Sequence, residues 1–66
     1  MSVDTNTTIA DLRDGTRVEV YCPSISTWVR GFEVATHTPH GYRLLRLSDR
    51  SVLPAVFADG AVRLLR

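Results

Sequence analysis

The sequence predicts a small all-β domain in the form of a five-stranded barrel closed on itself. Five short runs of strand-forming residues follow one another, with turn-forming residues between successive runs. The chain has 66 residues, enough for one domain with a small core. Closing the sheet would remove the exposed edges that so small a domain has little means to protect. The predicted strands are residues 16–22, 27–36, 41–47, 51–57 and 61–65.

The N-terminal residues are expected to lie outside the sheet. Residues 1–8 are mostly polar and predict a flexible, disordered tail, which leaves residues 9–66 for the barrel. Ile9 and Leu12 share one face of a single helical turn, so we expect them to close one end of the barrel. Gly15, in an Asp-Gly pair, then turns the chain into the first strand.

The first two strands have the clearest facing pattern. Val18, Val20 and Cys22 alternate with polar or aromatic residues and are predicted to face the core. The second predicted strand is the longest, and Gly31 interrupts it. An isolated glycine inside a strand indicates a bulge or a bend. We therefore expect Gly31 to bend this strand, so that it contributes to both halves of the barrel.

The later strands are less regular. Residues 42–47 place arginine and leucine on both faces of the third strand, so the alternation does not identify its core side. Pro54 has no N–H to donate, which predicts that the fourth strand lies at an edge or ends early. Residues 37–41 are expected to form a hairpin loop carrying two solvated histidines, and residues 58–60 a turn.

The sequence lacks the motifs that indicate disulfide bonding, zinc binding or catalysis. The single cysteine, Cys22, excludes an intramolecular disulfide, and with His37 and His40 it gives too few ligands for a structural zinc site. Because Cys22 is predicted to face the core, we expect its thiol to have a raised pKa and to be inert. The sequence has no phosphate-cradling glycine loop and no strained nucleophile motif. We therefore expect no enzymatic activity and no cofactor or metal.

Composition favours a bacterial protein of the cytoplasm. No apolar stretch approaches the ~20 residues of a membrane span, and the N-terminus lacks the features of a signal peptide. A lone thiol suits a reducing compartment. All eight basic residues are arginine, which is typical of a GC-rich genome. The net charge of +1 gives little general attraction to nucleic acid or membrane.

The order of the strands resembles that of a known class of small barrels. Five strands with a long, bent second strand and a short last one resemble the SH3-like layout. Residues 15–21, followed by Trp28 and the run to Val34, resemble Tudor and agenet domains, and this likeness covers most of residues 15–66. It implies an SH3-like binding module. Tudor domains that bind methylated side chains use an aromatic cage, but the corresponding positions here are Cys22, Val29 and Arg50.

A second resemblance points toward nucleic acid. Residues 14–20 together with residues 31–34 are similar to the KOW type of small barrel, which occurs in ribosomal and transcription-elongation proteins. KOW modules usually carry more lysine and glycine than this chain does. The likeness implies a transcription-associated or nucleic-acid-binding barrel as the alternative to a protein-binding one.

Arginine and aromatic residues alternate along the predicted strands and form the candidate site. Such a surface suits a protein contact, because Trp, Tyr and Arg dominate binding hot spots. It also suits a nucleic acid, through stacking and phosphate contacts, or it is simply a solvated face with arginine stems covering apolar area. A further alternative is a homodimer formed through an exposed strand, with Leu44 and Val56 contributing apolar surface. The candidate binding residues are Trp28, Arg30, Tyr42, Arg43 and Arg46, with Arg63 on the last strand as a further arginine of this type.

Overall fold

A computed structural model describes residues 12–65, and within this range the chain is all-β. It contains five strands and two short 3₁₀ turns, Pro23–Ile25 and Asp59–Ala61, and no α-helix. Each strand lies within two residues of its predicted bounds. The strands are β1 (Arg17–Cys22), β2 (Thr27–Thr38), β3 (Gly41–Arg46), β4 (Ser51–Phe57) and β5 (Val62–Leu64).

The strands form one antiparallel sheet in the order β4-β3-β2-β1-β5. Each strand pairs with its neighbour in sequence, except that β5 returns to pair with β1. Within residues 12–65, β4 and β5 remain the two edges of the sheet, so the closure predicted from the sequence is not observed. Pro54 lies on the edge strand β4, as its missing N–H predicted.

Gly31 produces the bend in β2. In the pairing of β1 with β2, Val18 lies opposite Phe32 and Glu19 opposite Arg30, so Gly31 has no partner on β1. This is a β-bulge, and its φ of +113° lies in the region that favours glycine. The predicted bend at Gly31 is confirmed.

Strand β2 pairs with β1 over its first part and with β3 over its second part. Residues 27–33 pair with β1 and residues 32–38 pair with β3. The Gly31 carbonyl accepts a hydrogen bond from the Leu47 N–H at 2.9 Å, just beyond the end of β3. The long second strand therefore joins the two halves of the sheet.

The core lies on one side of this curved sheet. Its buried residues are Val18, Val20, Val34, Tyr42, Leu44 and Val62, with Leu12, Phe32 and Phe57 packed against them. Leu12 is fixed further by its backbone N–H, which donates to the Tyr42 hydroxyl at 3.0 Å. Leu12 therefore packs against the core as expected, although the described sheet has no closed barrel end for it to cover. The other expected covering residue, Ile9, and the predicted tail of residues 1–8 lie outside the described residues.

Two predictions made for the surface are wrong. Leu44 is 0% exposed, so it contributes no apolar surface to a homodimer. His37 lies within β2 rather than in a loop, because Thr38 and Gly41 pair and leave only two residues in the hairpin turn. The His37 ring stacks on Tyr42 with centroids 4.1 Å apart, and its Nε2 lies 3.4 Å from Asp59 Oδ1.

No helix in the described part of the chain is long and apolar enough to cross a membrane.

Candidate functional site

Side chains on the outer face of β1, β2 and β5 form a compact group, which we call the tryptophan cluster: Glu19, Tyr21, Trp28 and Arg63. Glu19 and Tyr21 alternate with the buried Val18 and Val20, so they point away from the core. Strand pairing places Trp28 opposite Tyr21 and Arg63 opposite Glu19. The cluster therefore follows from the register of three adjacent strands.

Contacts within the tryptophan cluster hold its side chains in place. The Tyr21 and Trp28 rings meet edge to face, with centroids 5.4 Å apart. The Arg63 guanidinium carbon lies 4.1 Å from the centroid of the Trp28 ring. Arg63 Nε also donates to Glu19 Oε1 at 2.8 Å. An aromatic pair of this kind contributes roughly 0.5–1.5 kcal/mol and an exposed cation–π contact about 0.5–1 kcal/mol.

The aromatic rings of the tryptophan cluster remain accessible. Trp28 is half-buried and Tyr21 is 37% exposed. Because the ring is already oriented by Arg63 and Tyr21, a partner would lose little side-chain entropy in binding it.

Arg30 extends the tryptophan cluster on its β2 side. It lies opposite Glu19, so Arg30, Glu19 and Arg63 form one row across the three strands. Arg30 is exposed, and its side chain has no hydrogen bond or ion pair with any residue in the range 12–65. The row thus presents two guanidinium groups and one carboxylate.

The sequence-selected residues do not form a single surface. Trp28 and Arg30 lie on the part of β2 that pairs with β1. Arg43 and Arg46 lie on β3, which pairs with the other part of β2 and with β4. Tyr42 is 1% exposed and belongs to the core, so the prediction that its ring lies on an exposed patch is wrong.

Arg46 has a local structural role. Its guanidinium donates two hydrogen bonds to the Asp49 carboxylate, at 2.8 and 3.1 Å, and fixes the turn between β3 and β4. Asp49 also accepts hydrogen bonds from the hydroxyl and the backbone N–H of Ser51. These bonds, first that from Arg46 and then that from the Ser51 hydroxyl, hold the pKa of Asp49 well below its usual range. Arg43 is half-buried and makes a long contact of 3.5 Å with the Pro54 carbonyl oxygen.

Two members of the tryptophan cluster, Glu19 and Tyr21, were not among the candidate residues named from the sequence, and Arg63 was named there only as a further arginine of the same type. The alternation of β1 does place Glu19 and Tyr21 on the face opposite Val18. The position of Arg63 depends on pairing with a residue 44 positions away, which no local pattern indicates.

An apolar groove of about 330 Å³ lies on the core side of β1 and β2, near the end of β4. No charged side chain lines it. Tyr21 belongs both to this groove and to the tryptophan cluster on the outer face. The lining residues are Val20, Tyr21, Cys22, Pro23, Val29, Phe32 and Phe57.

The environment of Cys22 differs from the expected one. The thiol is only half-buried, and its Sγ lies 3.3 Å from Ser24 Oγ. This hydrogen bond lowers the pKa of Cys22 from its usual value, whereas the core position inferred from the sequence predicted a raised pKa. The prediction of a raised pKa is therefore wrong.

Among residues 12–65, no three His, Cys, Asp or Glu side chains are grouped closely enough to hold a metal ion. Comparison with protein-family models, with curated proteins and with solved structures found no significant match to this chain.

Proposed function

We propose that this chain is a small SH3-like module of the bacterial cytoplasm, without enzymatic activity, that binds another protein through the tryptophan cluster. The observation that carries the proposal is the half-buried Trp28 ring, held between Tyr21 and Arg63 on a paired-strand surface. Trp, Tyr and Arg are the residues that most often dominate protein-binding hot spots. Support for the SH3-like layout comes from the strand order and from the bulge at Gly31 that divides β2 between two neighbours.

The charges favour a protein over a nucleic acid. Three arginines on the described surface already contact carboxylates: Arg17 with Glu33, Arg46 with Asp49 and Arg63 with Glu19. Binding to a phosphate backbone relies on cations that are available to replace counterions. Paired arginines supply less of that attraction, whereas a mixed polar and aromatic surface is typical of protein contacts.

The central test is Trp28→Ala, with Val52→Ala as the control. Val52 is 50% exposed on the edge strand β4, away from the tryptophan cluster, so its loss removes apolar surface of a different region. We expect Trp28→Ala to abolish capture of a protein partner by the immobilised chain, and Val52→Ala to retain it. Both variants should unfold cooperatively, since Trp28 is only half-buried.

Circular dichroism and thermal unfolding separate the two ways in which Trp28→Ala could act. Lost capture by a folded variant supports the proposal. If folded Trp28→Ala captures the same partner as the parent chain, the tryptophan cluster is not the contact surface. Should Trp28→Ala unfold, Arg63→Gln removes the stacked guanidinium while leaving both rings in place, and it should weaken capture.

A nucleic-acid-binding barrel is the second candidate, favoured by the exposed Arg30 beside an accessible aromatic ring. Such a binder retains oligonucleotides at low salt and releases them steeply as salt rises. We expect no shift of single-stranded or duplex oligonucleotides at about 20 mM salt, a condition that strengthens phosphate contacts. A salt-dependent shift that is lost in Trp28→Ala would overturn the protein-binding proposal in favour of this one.

A further inference from the structure

We infer that the partner is a peptide segment that presents a carboxylate to Arg30 and an adjacent apolar side chain to the Trp28 and Tyr21 rings. This inference rests on the proposed function, because it assigns a ligand chemistry to the same surface. It follows from the distribution of charge in the row of Arg30, Glu19 and Arg63, and from the apolar rings beside that row.

The row has one more cation than it has anions. Arg63 uses its Nε to bind Glu19 Oε1 at 2.8 Å and at the same time stacks over Trp28. Arg30 lies on the other side of Glu19 and contacts no carboxylate within residues 12–65. The neighbouring Arg17 and Glu33 already form a pair, with 3.5 Å between Nε and Oε1. The guanidinium of Arg30 is thus the cation on this surface that is available to an anion from outside.

The geometry of a guanidinium selects the kind of anion. Its planar N–H groups match the two oxygens of a carboxylate, and a charge-assisted bidentate pair is stronger than a neutral hydrogen bond. Trp28 lies two residues before Arg30 on the same face of β2, and Tyr21 lies opposite Trp28 on β1, so the two rings provide apolar area next to Arg30. An Asp or Glu followed by an aromatic or aliphatic residue would satisfy both parts of the surface at once.

A phosphate group can also bind a guanidinium, so a carboxylate ligand and a phosphate ligand must be distinguished. The row presents a single available guanidinium rather than a cluster of cations, and Glu19 lies between its two arginines. A dianionic phosphate gains most where several cations meet it, and it is repelled by a nearby carboxylate. The charges therefore favour the carboxylate of a peptide.

The experiment selects binders from a random peptide library displayed on phage, using the full chain as bait. Selected peptides are made with a fluorescent label, and their affinity is measured by anisotropy. Trp28 is the single tryptophan of the chain, so a change in its emission with a tryptophan-free peptide locates binding at the cluster. We expect selected sequences to share an Asp or Glu next to an aromatic or aliphatic residue.

Matched variants test the role of Arg30. Arg30→Gln should weaken binding of the acidic peptides at least about tenfold, and Arg30→Glu should weaken it further, since truncating one partner of a charge pair leaves the other unpaired. Arg50→Glu carries the same charge change at an exposed turn residue, and it should leave affinity within about twofold because screening removes distant surface charge effects. Replacing the Asp or Glu of the peptide by Asn or Gln should reproduce the loss seen with Arg30→Gln.

The outcomes separate this inference from the function on which it rests. Peptides that require Trp28 but carry no acidic residue, or that bind Arg30→Gln unchanged, overturn the inference and leave the protein-binding proposal standing. Failure to obtain any peptide that requires Trp28 counts against both. Phosphopeptides or oligonucleotides that bind more tightly than the acidic peptides, and that depend on Arg30, overturn the choice of a carboxylate.

Discussion

Gly41 occupies a position in the sheet where no other residue type fits without strain. It opens β3 with a φ of +137°, and a Cβ placed there would collide with the carbonyl oxygen of Phe57. Gly41→Ala combines backbone strain with this clash, so we expect a loss of about 2–4 kcal/mol in the free energy of unfolding. The measurement is the urea midpoint together with its slope.

Gly60 provides the matched control for Gly41. A Cβ at Gly60 meets no heavy atom within 4 Å, and its φ is not in the left-handed region. Gly60→Ala should change the free energy of unfolding by no more than about 0.5 kcal/mol. Equal losses in the two variants would show that the close approach of β3 to Phe57 is not what requires glycine.

The carboxylate of Asp49 makes the stability depend on pH. Its pKa in the folded chain is held well below the usual value, mainly by the hydrogen bond from Arg46, so the unfolded chain binds the proton more readily. The stabilisation is present above the unfolded pKa of about 3.9 and declines as pH falls below it. We expect the difference in melting temperature between the parent chain and Asp49→Asn to be constant from about pH 7 to pH 5.5 and smaller at about pH 3.

Arg46→Gln is the companion variant for this pH series. It removes the strongest cause of the lowered pKa at Asp49 while keeping the carboxylate. In Arg46→Gln, the melting temperature should fall less between about pH 5.5 and pH 3 than it does in the parent chain. Added salt should also reduce the fall in the parent chain, because the Arg46–Asp49 pair is exposed and therefore screened. A difference from Asp49→Asn that persists unchanged at pH 3 would contradict the assigned cause.

At the scale of the elements, the strand bounds could be predicted because local chemistry determines them. Alternating side chains mark the strands, and residues with turn preferences separate them, as Asp14 and Gly15 do before β1. The bend at Gly31 and the edge position of Pro54 could be predicted for the same reason. Each follows from what one residue type permits in a strand.

Which side a residue faces was harder to predict where the register shifts. The pairing of β2 with β3 is interrupted between Val34 and Thr36, and that of β3 with β4 between Arg43 and Leu45. Each irregularity changes which side chains share a face. Both irregularities add residues to β2 and β4, whereas β3 alternates with Tyr42 and Leu44 buried. The core face of β3 could not be predicted because each of its two faces carries a leucine and an arginine.

The candidate site was only partly predictable for a related reason. Trp28 and Arg30 could be selected as residue types suited to binding. Trp28 belongs to the tryptophan cluster, and Arg30 belongs to the row of charged residues beside it. Arg63 joins them through the pairing of β5 with β1. That long-range pairing is a property of the assembled sheet, so spacing along the chain contains no sign of it.

At the scale of the whole molecule, the two edge strands of the described sheet are where we expect another copy of the chain to pair, if copies associate. Val52 and Val56 on β4 are 50% and 39% exposed, and Pro54 lies between them without an N–H to donate. Proline on an edge strand discourages pairing with another chain. Of the two residues named for a homodimer, only Val56 offers exposed apolar surface, since Leu44 is buried.

Pro54→Val tests this role of the edge. It supplies a backbone donor and places an apolar, strand-forming residue between the exposed Val52 and Val56, so we expect concentration-dependent self-association in sedimentation velocity. Pro54→Lys supplies the same donor with a charged side chain and should sediment as the parent chain does. A parent chain that already sediments as a dimer would show that Pro54 does not block association.

The division of β2 between two neighbours has a consequence for how the chain folds. The ribbon of β1 with β2 and the ribbon of β2 with β3 share one strand, and the bulge at Gly31 marks the place where the partnership changes. Strand β2 has all of its neighbours only when both β1 and β3 are paired with it. Hairpins of two strands are marginal alone, so we expect the folding barrier to be crossed with β2 as the common element, and partly formed sheets to be short-lived.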